Sequence, residues 1–310
     1  MSLYELLMPY LFAGLSVGAQ YAMIAIGYSM VYSILRLINF AHADVFMISG
    51  LLMVFIAASF GLLVAIPVVI ILTVIIGFSI ERVAYKPLRS APRMSVMISA
   101  IGVSYLLQNL ALYFTGGLAR PYPRIPWISD PISVLGFGLR RVTIVTPILL
   151  VILVTLLVLF INKTKIGIAM RAVAKDFDTS QLMGVKINSV ISATFIIGTF
   201  LAAVGSILFF TNFPSVFPLA GAMPGLKAFV AAVFGGIGSI PGAVIGGLLI
   251  GISESFIRGG DVILGPAGFG ILSSPIDIST FTDAFTFVLL IVVLVFRPSG
   301  LFGDKPTDKV

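Results

Sequence analysis

The residues most able to do chemistry in this chain open a long apolar segment, INFAHADVFMISG at positions 38–50. Asn39, His42 and Asp44 stand within six positions of one another there, and His42 is the only histidine. If the segment crosses a membrane, ionisable groups within it are costly and usually mark a pathway for substrate or ions. A structural role is the alternative: Asn39 caps the helix N-terminus and Asp44 lies in the wet first turn, near the positive end of the helix dipole.

A second candidate is the glycine-rich sequence GGIGSIPGAVIGGLLIG at positions 235–251. Its glycines at 238, 242 and 246, and again at 247 and 251, recur every four residues. This spacing predicts one helix face on which another backbone approaches closely. Plain helix packing and a moving gate both use such a face. The candidates for a gate or translocation path are therefore Asn39, His42, Asp44, Gly235, Gly236, Gly238 and Gly242.

A polar stretch, Asn162 to Ser189, separates two hydrophobic segments. We expect one or two short helices lying outside a bilayer. Their apolar face would be formed by Ala169, Ala172 and Val173, and their polar positions by Arg171, Lys175, Asp176 and Asp178. Anionic lipid headgroups or a protein partner would both suit this surface, and composition does not separate them.

The other large loop, at positions 116–141, contains the only tryptophan and four prolines. It is basic and stiff, so it suits either a docking ledge for a partner or a rigid connector.

Several catalytic signatures are absent from the sequence. It has no GxxxxGK[ST] phosphate loop, no GxSxG elbow, no HExxH motif and no cysteine, and its single histidine excludes a multi-histidine metal site. We therefore expect no catalytic residues, no metal and no enzyme activity, and any energy from nucleotide hydrolysis must come from another subunit.

Composition assigns these segments to a bilayer. The 310-residue chain is 59% hydrophobic and 10% charged, with a mean hydropathy of +1.16, whereas soluble domains have about 25% charged residues. A cytosolic enzyme, a nucleic-acid binder and a disordered scaffold are thereby excluded, and the net charge of +7 mainly reports topology.

The apolar segments predict an all-α polytopic membrane protein with about eight transmembrane helices plus a Gly-rich broken or re-entrant segment. We treat residues 1–310 as a single transmembrane domain, with a cytoplasmic loop at about 162–188, an external loop at 116–141 and a retained first span without a cleavable signal. The clearest spans are Leu6 to Ile34, Asn39 to Phe60, Leu62 to Ile80, Met94 to Thr115, Val142 to Ile161, Ser189 to Thr211 and Thr282 to Phe296. Gly225 to Ile257 is interrupted at Gly235 to Gly242, and both of its halves are expected to be short for a crossing.

Orientation follows from the basic residues, which concentrate in the cytoplasm. With the N-terminus outside and Gly225 to Ile257 running in and back out, most Lys and Arg fall inside, including Arg297, Lys305 and Lys309. The basic residues left outside are Arg120, Arg124, Arg140, Arg141, Lys227 and Arg258.

Three motifs together resemble one family: NFAHADVFMISG, RAVAKDFDTSQLMGVKIN and GLKAFVAAVFGGIGSIPGAVIGGLLIGISES. They occur in the order found in LivH-type permeases of branched-chain amino-acid ABC importers, and the similarity extends from Gly14 to Gly303. The sequence departs from the family at Ala43, where Gly is usual.

The resemblance implies a permease that imports leucine, isoleucine and valine across a bacterial inner membrane. Together with the orientation expected from the basic residues, this makes the N-terminus periplasmic and the C-terminus cytoplasmic. Its expected partners are a second, LivM-like permease, two LivG/LivF-like ATPase subunits that bind ATP and Mg, a periplasmic amino-acid-binding protein and membrane lipid, but no nucleic acid. No cofactor is expected in this chain. Lys165 to Val185 resembles the ATPase-coupling region, with Arg171, Ala172, Asp176, Leu182 and Gly184 as contacts.

Other functions remain open at this point. Permeases for urea, short-chain amides or other neutral amino acids share these motifs, and the second permease could be another copy of this chain. An ion-coupled secondary transporter also uses broken helices, but no inverted repeat is visible. An intramembrane enzyme lacks its catalytic residues here.

Overall fold

The computed structural model describes residues 3–89, 91–134, 136–266, 268–271, 278–297 and 299–303. The helices are α1 (Leu3–Leu35), α2 (His42–Phe60), α3 (Leu62–Ile80), α4 (Arg93–Thr115), α5 (Pro126–Ser129), α6 (Arg141–Lys163), α7 (Lys165–Lys175), α8 (Phe177–Leu182), α9 (Ile187–Asn212), α10 (Ala222–Gly235), α11 (Ile240–Arg258), α12 (Gly260–Leu264) and α13 (Thr282–Phe296). A π turn (Glu81–Tyr85) and a 3-10 turn (Lys86–Leu88) continue α3, and a 3-10 turn (Ile278–Phe281) precedes α13. The strands are β1 (Arg120–Pro121), β2 (Pro131–Val134), β3 (Phe137–Arg140) and β4 (Ser215–Val216).

Eight helical segments of the described ranges are long and apolar enough to cross a membrane: α1, α2, α3 with its continuation, α4, α6, α9, α11 and α13 with its preceding turn. The predicted all-α polytopic class is confirmed. The main boundary difference lies at α2, which begins at His42 rather than Asn39 because the preceding residues are not helical.

The predicted interruption between α10 and α11 is present. The two helices pack antiparallel: a Cβ added at Gly246 would lie 2.2 Å from the carbonyl oxygen of Ala231, and one added at Gly242 would lie 2.3 Å from that of Gly235. Ser239 caps α11 by accepting a hydrogen bond of 3.2 Å from the Gly242 N–H. The prediction that both halves are short is wrong for α11: α10 has 14 residues, but α11 has 19 and can span the bilayer.

The glycines of α11 form two contact faces, so the prediction of one face is wrong. Gly242 and Gly246 contact α10, whereas Gly247 and Gly251 contact Ala22 and Gly18 of α1. Neighbouring residues differ by about 100° around a helix, which directs consecutive glycines to different neighbours. Gly238 precedes α11 and has φ 96°.

Helix α1 is the centre of the bundle, packed against α6, α9, α10 and α11. Most of its residues from Gly14 onward are buried. By contrast α4, α6 and α13 expose most of their apolar surface, so they face lipid or another subunit.

The two ends of the bundle differ in their loops. At one end, which we call the α7–α8 end, α6 leads into α7 and α8. At the other, the hairpin end, the 116–141 loop forms the antiparallel β2–β3 hairpin, and β1 pairs with β4.

The two termini approach opposite ends. Tyr4 packs its ring 5.4 Å from that of Phe137 in the hairpin, whereas the Leu301 N–H donates to the Phe234 carbonyl at the end of α10. Lys305 and Lys309, which the orientation prediction used, lie outside the described residues.

Candidate functional site

The N-terminus of α2 lies inside the bundle. His42 packs on Gly27 of α1, where an added Cβ would lie 2.2 Å from its Nε2 atom. Gly27 is eight residues before the end of α1, about 12 Å along the helix at 1.5 Å per residue. The connection at 36–41 therefore runs back into the bundle before α2 starts.

The N-terminus of α10 meets that of α2. A Cβ added at Gly221 would lie 2.3 Å from the Ala43 carbonyl oxygen, and one at Gly225 would lie 2.1 Å from the Ala43 Cβ. Neither helix has a side-chain cap at its N-terminus. Two helices thus begin at membrane depth, a geometry that is tolerated where irregular backbone is buried or lines a cavity.

A cavity of about 290 Å³ lies beside this junction, and we call it the central cavity. One wall is polar, formed by Asp44, Ser104 and Gln108 with Tyr28 nearby. The remaining lining comes from Ile38, Phe40, Ala43, Ile101, Tyr105, Ala222, Gly225, Leu226 and Phe229. Its exposed lining residues include Tyr105 of α4, which is 63% exposed, and Leu226 of α10, which is 43% exposed, so the cavity reaches the surface of the chain.

Asp44 is the acidic group of the central cavity. It lies in the first turn of α2, as the structural interpretation predicted, but it is buried rather than wet. Its Oδ2 accepts a 2.5 Å hydrogen bond from Ser104 Oγ, and its Oδ1 accepts one of 3.0 Å from Gln108 Nε2. Both donors are on α4, so this helix positions the carboxylate.

His42 is packed away from the cavity. It is buried between Gly27, Gly198 and Tyr28, whose ring centroid lies 5.1 Å from its own. Within the described residues its Nε2 has no hydrogen-bond partner.

Asn39 is also buried, in the connection before α2. It does not cap α2, because the cap position is Ala41 and the Asn39 Oδ1 accepts a 2.9 Å hydrogen bond from the Tyr85 hydroxyl. Tyr85 ends the π turn after α3, so Asn39 links the α1–α2 connection to α3.

The predicted glycine candidates lie apart from Asp44. A Cβ at Gly235 would lie 1.9 Å from the Gly242 carbonyl oxygen, one at Gly236 would meet Gly303, and Gly238 approaches Ser33 near the end of α1. These four glycines line the α7–α8 end of the α10–α11 pair rather than the central cavity.

The polar stretch forms two short helices outside the spans, as predicted. Asp176 caps α8, its Oδ1 accepting a 3.0 Å hydrogen bond from the Thr179 N–H. Arg171 is exposed, Leu182 is 87% exposed, and Gly184 turns the chain with φ 82°. The predicted contact residues, including Ala172 and Asp176, are thus all exposed.

The buried face of α7 includes Val173 as predicted, and Ala169 is partly buried, but the prediction is wrong for Ala172. Gly167, Met170 and Val173 are buried, whereas Ala172 is exposed. Residues three apart share a helix face, and this spacing selects Met170 over Ala172.

Sequence reasoning missed the role of Arg36. Its side chain donates a 3.2 Å hydrogen bond to the Ala174 carbonyl in the last turn of α7 and lies 6.0 Å from the Tyr32 ring centroid. Its backbone has φ 53°, the only positive value at a non-glycine residue of the described ranges. Arg36 therefore joins α7 to the connection that leads to Asn39 and Asp44.

It also missed two buried carboxylates. Glu254 of α11 pairs with Lys227 of α10 at 2.8 Å, with Arg258, and with the Tyr21 hydroxyl of α1 at 2.8 Å. Lys227 also pairs with Asp283 at 2.6 Å. Lys227 was assigned to the outside; the structure corrects this to a buried helix position. Isolated opposite charges in two neighbouring apolar segments were the available signal.

The other carboxylate, Glu81, is fully buried at the end of α3. It pairs with Arg89 and accepts a 2.8 Å hydrogen bond from Ser192 of α9. Arg89 in turn contacts Asn188. This cluster fastens α3 to α9 near the α7–α8 end.

Comparisons with known proteins place the chain in a family. The family model described as branched-chain amino acid transport system / permease component matches residues 10–294. The chain is 41% identical to the high-affinity branched-chain amino acid transport system permease protein BraD of Pseudomonas aeruginosa, with 96% of each chain covered. It is 37% identical to LivH of Escherichia coli, a protein of the same description, with 97% of this chain and 96% of that protein covered.

A more distant relative is the probable branched-chain amino acid transport permease protein LivH of Methanocaldococcus jannaschii, at 26% identity over 91% of this chain and 88% of that protein. The family model and these three relatives are all described as branched-chain amino acid transport permeases, and each matches most of the chain. The chain belongs to the family of branched-chain amino acid transport system permease components.

Proposed function

We propose that this chain is the transmembrane permease subunit of an ABC importer that moves leucine, isoleucine and valine into the cytoplasm. The observation that carries the proposal is the 41% identity over 96% of the chain to BraD, a high-affinity branched-chain amino acid permease. The central cavity supports it, because an amphipathic cavity at membrane depth suits a small molecule with both polar and apolar groups.

The complex contains a second, LivM-like permease. The mouth of the central cavity opens on the surface of the chain, and polar groups facing lipid are unfavourable. A second permease laid against α4 and α10 would cover Asp44, Ser104 and Gln108 and leave a path between the two subunits. A periplasmic binding protein delivers the amino acid at the hairpin end.

Two LivG/LivF-like ATPases bind the α7–α8 end and hold the ATP and Mg, so this chain needs no cofactor of its own. Leu182 and Met183 are 87% and 80% exposed at the turn after α8. Apolar side chains at the tip of a loop outside the spans suit insertion into a cleft of another protein. Arg171, Ala172, Asp176 and Gly184 complete this contact.

ATP-driven movement of α7 reaches the cavity through Arg36. The guanidinium holds the last turn of α7, and its own backbone begins the connection to α2. A shift of α7 therefore pulls on Asn39 and on the first turn of α2, which carries Asp44. The α10–α11 pair is tightly packed at the same end of the bundle and moves together with α7. This part of the pair acts as a gate, formed by Gly235, Gly236, Gly238 and Gly242.

The protein resides in the bacterial inner membrane with its N-terminus periplasmic and its C-terminus cytoplasmic. This orientation brings α7 and α8 to the ATPases. The termini approach opposite ends of the bundle, and Leu301 and Phe302 bond to the end of α10 at the α7–α8 end, which is consistent with it.

The test is to purify the tagged chain from native membranes and to reconstitute whatever accompanies it. We expect two ATPases and a second permease, and ATP-dependent uptake of labelled leucine once the binding protein is added. Uptake of urea instead of leucine would move the chain to a neutral-substrate importer. Transport by the isolated chain along an ion gradient would contradict the ABC assignment.

A further inference from the structure

Asp44 differs from the other buried carboxylates of the bundle. Three acidic side chains are buried in the described part of the chain: Asp44, Glu81 and Glu254. Glu81 is paired with Arg89, and Glu254 with Lys227 and Arg258. Among the described residues, no cation lies within ion-pair distance of Asp44, whose partners are the neutral Ser104 and Gln108.

A buried carboxylate without a cation is unfavourable unless a countercharge arrives. The dipole of α2 offsets part of the cost, since Asp44 lies in its first turn. Two hydrogen bonds occupy about half of the roughly four acceptor positions of a carboxylate. The remaining capacity is available to a donor that enters the central cavity.

The rest of the central cavity restricts what such a donor carries. Phe40, Ile101 and Phe229 form apolar walls around the polar one, and the volume of about 290 Å³ is suited to one small molecule. A single anionic group beside apolar walls favours a ligand with a cationic head and an apolar side chain. A neutral amide would leave the charge of Asp44 uncompensated.

Resting on the proposed function, we propose that Asp44 is the transient partner of the ammonium group of the transported amino acid. Each substrate supplies the missing countercharge as it passes, with its side chain against the apolar walls. The permease itself thus selects for a primary ammonium group, independently of the binding protein. Ser104 and Gln108 are positioning residues that hold the carboxylate toward the cavity.

The first experiment measures leucine uptake by the complete complex in proteoliposomes at saturating binding protein. The variants are Asp44→Asn, Asp44→Glu and, as a matched control on the same helix, Ser49→Ala, whose buried hydroxyl has no partner in the described residues. We expect uptake to fall at least tenfold in Asp44→Asn, to recover in part in Asp44→Glu and to stay unchanged in Ser49→Ala. The ATPases should remain assembled with all three variants, and basal ATP hydrolysis should stay unchanged in Ser49→Ala.

The second experiment separates pairing from folding by using analogues that bypass the binding protein. Labelled leucine bound to the complex without binding protein is competed by 3-methylbutylamine, which has the ammonium only, or by 4-methylpentanoate, which has the carboxylate only. We expect the amine to compete at least tenfold better with wild type than with Asp44→Asn, and the acid to compete equally with both.

The outcomes distinguish this inference from the function on which it rests. Wild-type leucine uptake with an unchanged Asp44→Asn rate, or equal competition by the amine in both proteins, would overturn the pairing alone. A wild-type complex that imports urea and not leucine would overturn both.

Discussion

Ala43 and Gly225 show how one methyl group sets the distance between two helices. The Cβ of Ala43 points at Gly225 of α10. The glycine at 225 leaves the space that the alanine at 43 fills. One of the two positions must lack a side chain for the N-terminal ends of α2 and α10 to meet.

We therefore expect Gly225→Ala to destabilise the protein by about 1–3 kcal/mol through overpacking, because the new Cβ would lie 2.1 Å from that of Ala43. The double variant Ala43→Gly/Gly225→Ala should recover most of this loss. Thermal unfolding in detergent, read as a double-mutant cycle, measures the coupling. Gly102→Ala is the matched control, since a Cβ there meets nothing within 4 Å; equal effects of Gly225→Ala and Gly102→Ala would contradict this account.

Arg36 has a left-handed backbone conformation and a side-chain hydrogen bond to α7. Replacing it with glycine keeps the backbone conformation and removes only the hydrogen bond. Glycine adopts φ 53° without steric cost, whereas a Cβ in the left-handed region costs about 1–2 kcal/mol. Arg36→Gly should keep the fold and ATP hydrolysis but lower leucine uptake per ATP at least about threefold, within the range of one lost hydrogen bond. The measurement is the ratio of uptake to phosphate release in proteoliposomes. An unchanged ratio would exclude Arg36 from coupling.

A buried network of ion pairs and one hydrogen bond links four helices, α1, α10, α11 and α13. Tyr21, Lys227, Glu254 and Asp283 come one from each helix. Because both Lys227 and Glu254 are almost fully buried, their pairing is a structural fastening that resists separation of α10 from α11.

Removing both partners should cost less than the sum of the costs of removing each one alone. We expect Glu254→Gln to destabilise the protein by about 3–5 kcal/mol, as breaking a buried pair typically does. Lys227→Met/Glu254→Gln should be less destabilising than the sum of the two single changes. Thermal unfolding of the four proteins gives the comparison, with exposed Asp178→Asn as control. Additive losses would show that the two charges do not depend on each other.

The end of helix α8 exposes apolar side chains that the fold itself does not bury. Leu182 is 87% exposed, so Leu182→Glu should leave the unfolding temperature unchanged and abolish co-purification of the ATPases. Leu118→Glu, an exposed leucine before β1 at the other end, should retain them. ATPases that remain bound to Leu182→Glu would remove this turn from the coupling contact.

Topology is the property of the whole molecule that can be tested most directly, because the chain has no cysteine. Single cysteines at exposed Leu3, Leu118, Met183 and Phe302 give four probes without a background. In intact spheroplasts a membrane-impermeant maleimide should label positions 3 and 118 only. Positions 183 and 302 should react after permeabilisation. The opposite labelling pattern would show that the N-terminus is cytoplasmic. The α7–α8 end would then lie on the periplasmic side, where it could not contact the ATPases.

The sequence by itself determined the class of protein and the order of its helices. Long apolar segments must form helices in a bilayer because every backbone polar group needs an internal partner. The order of the long spans and the GGIGSIPG interruption were therefore visible without coordinates, as was the polar stretch that became α7 and α8.

Only the tertiary structure decided which residues meet. The return of 36–41 into the bundle, which brings Asp44 to Ser104 and Gln108, depends on contacts between residues sixty positions apart. The spacing of the glycines could not reveal two contact faces. The charges of Lys227 and Glu254 in apolar segments indicated that each needs a partner, but the sequence did not identify Tyr21, Arg258 and Asp283 as the other members of the cluster. Local periodicity reports the environment of one helix, whereas a site inside a bundle is set by the packing of several.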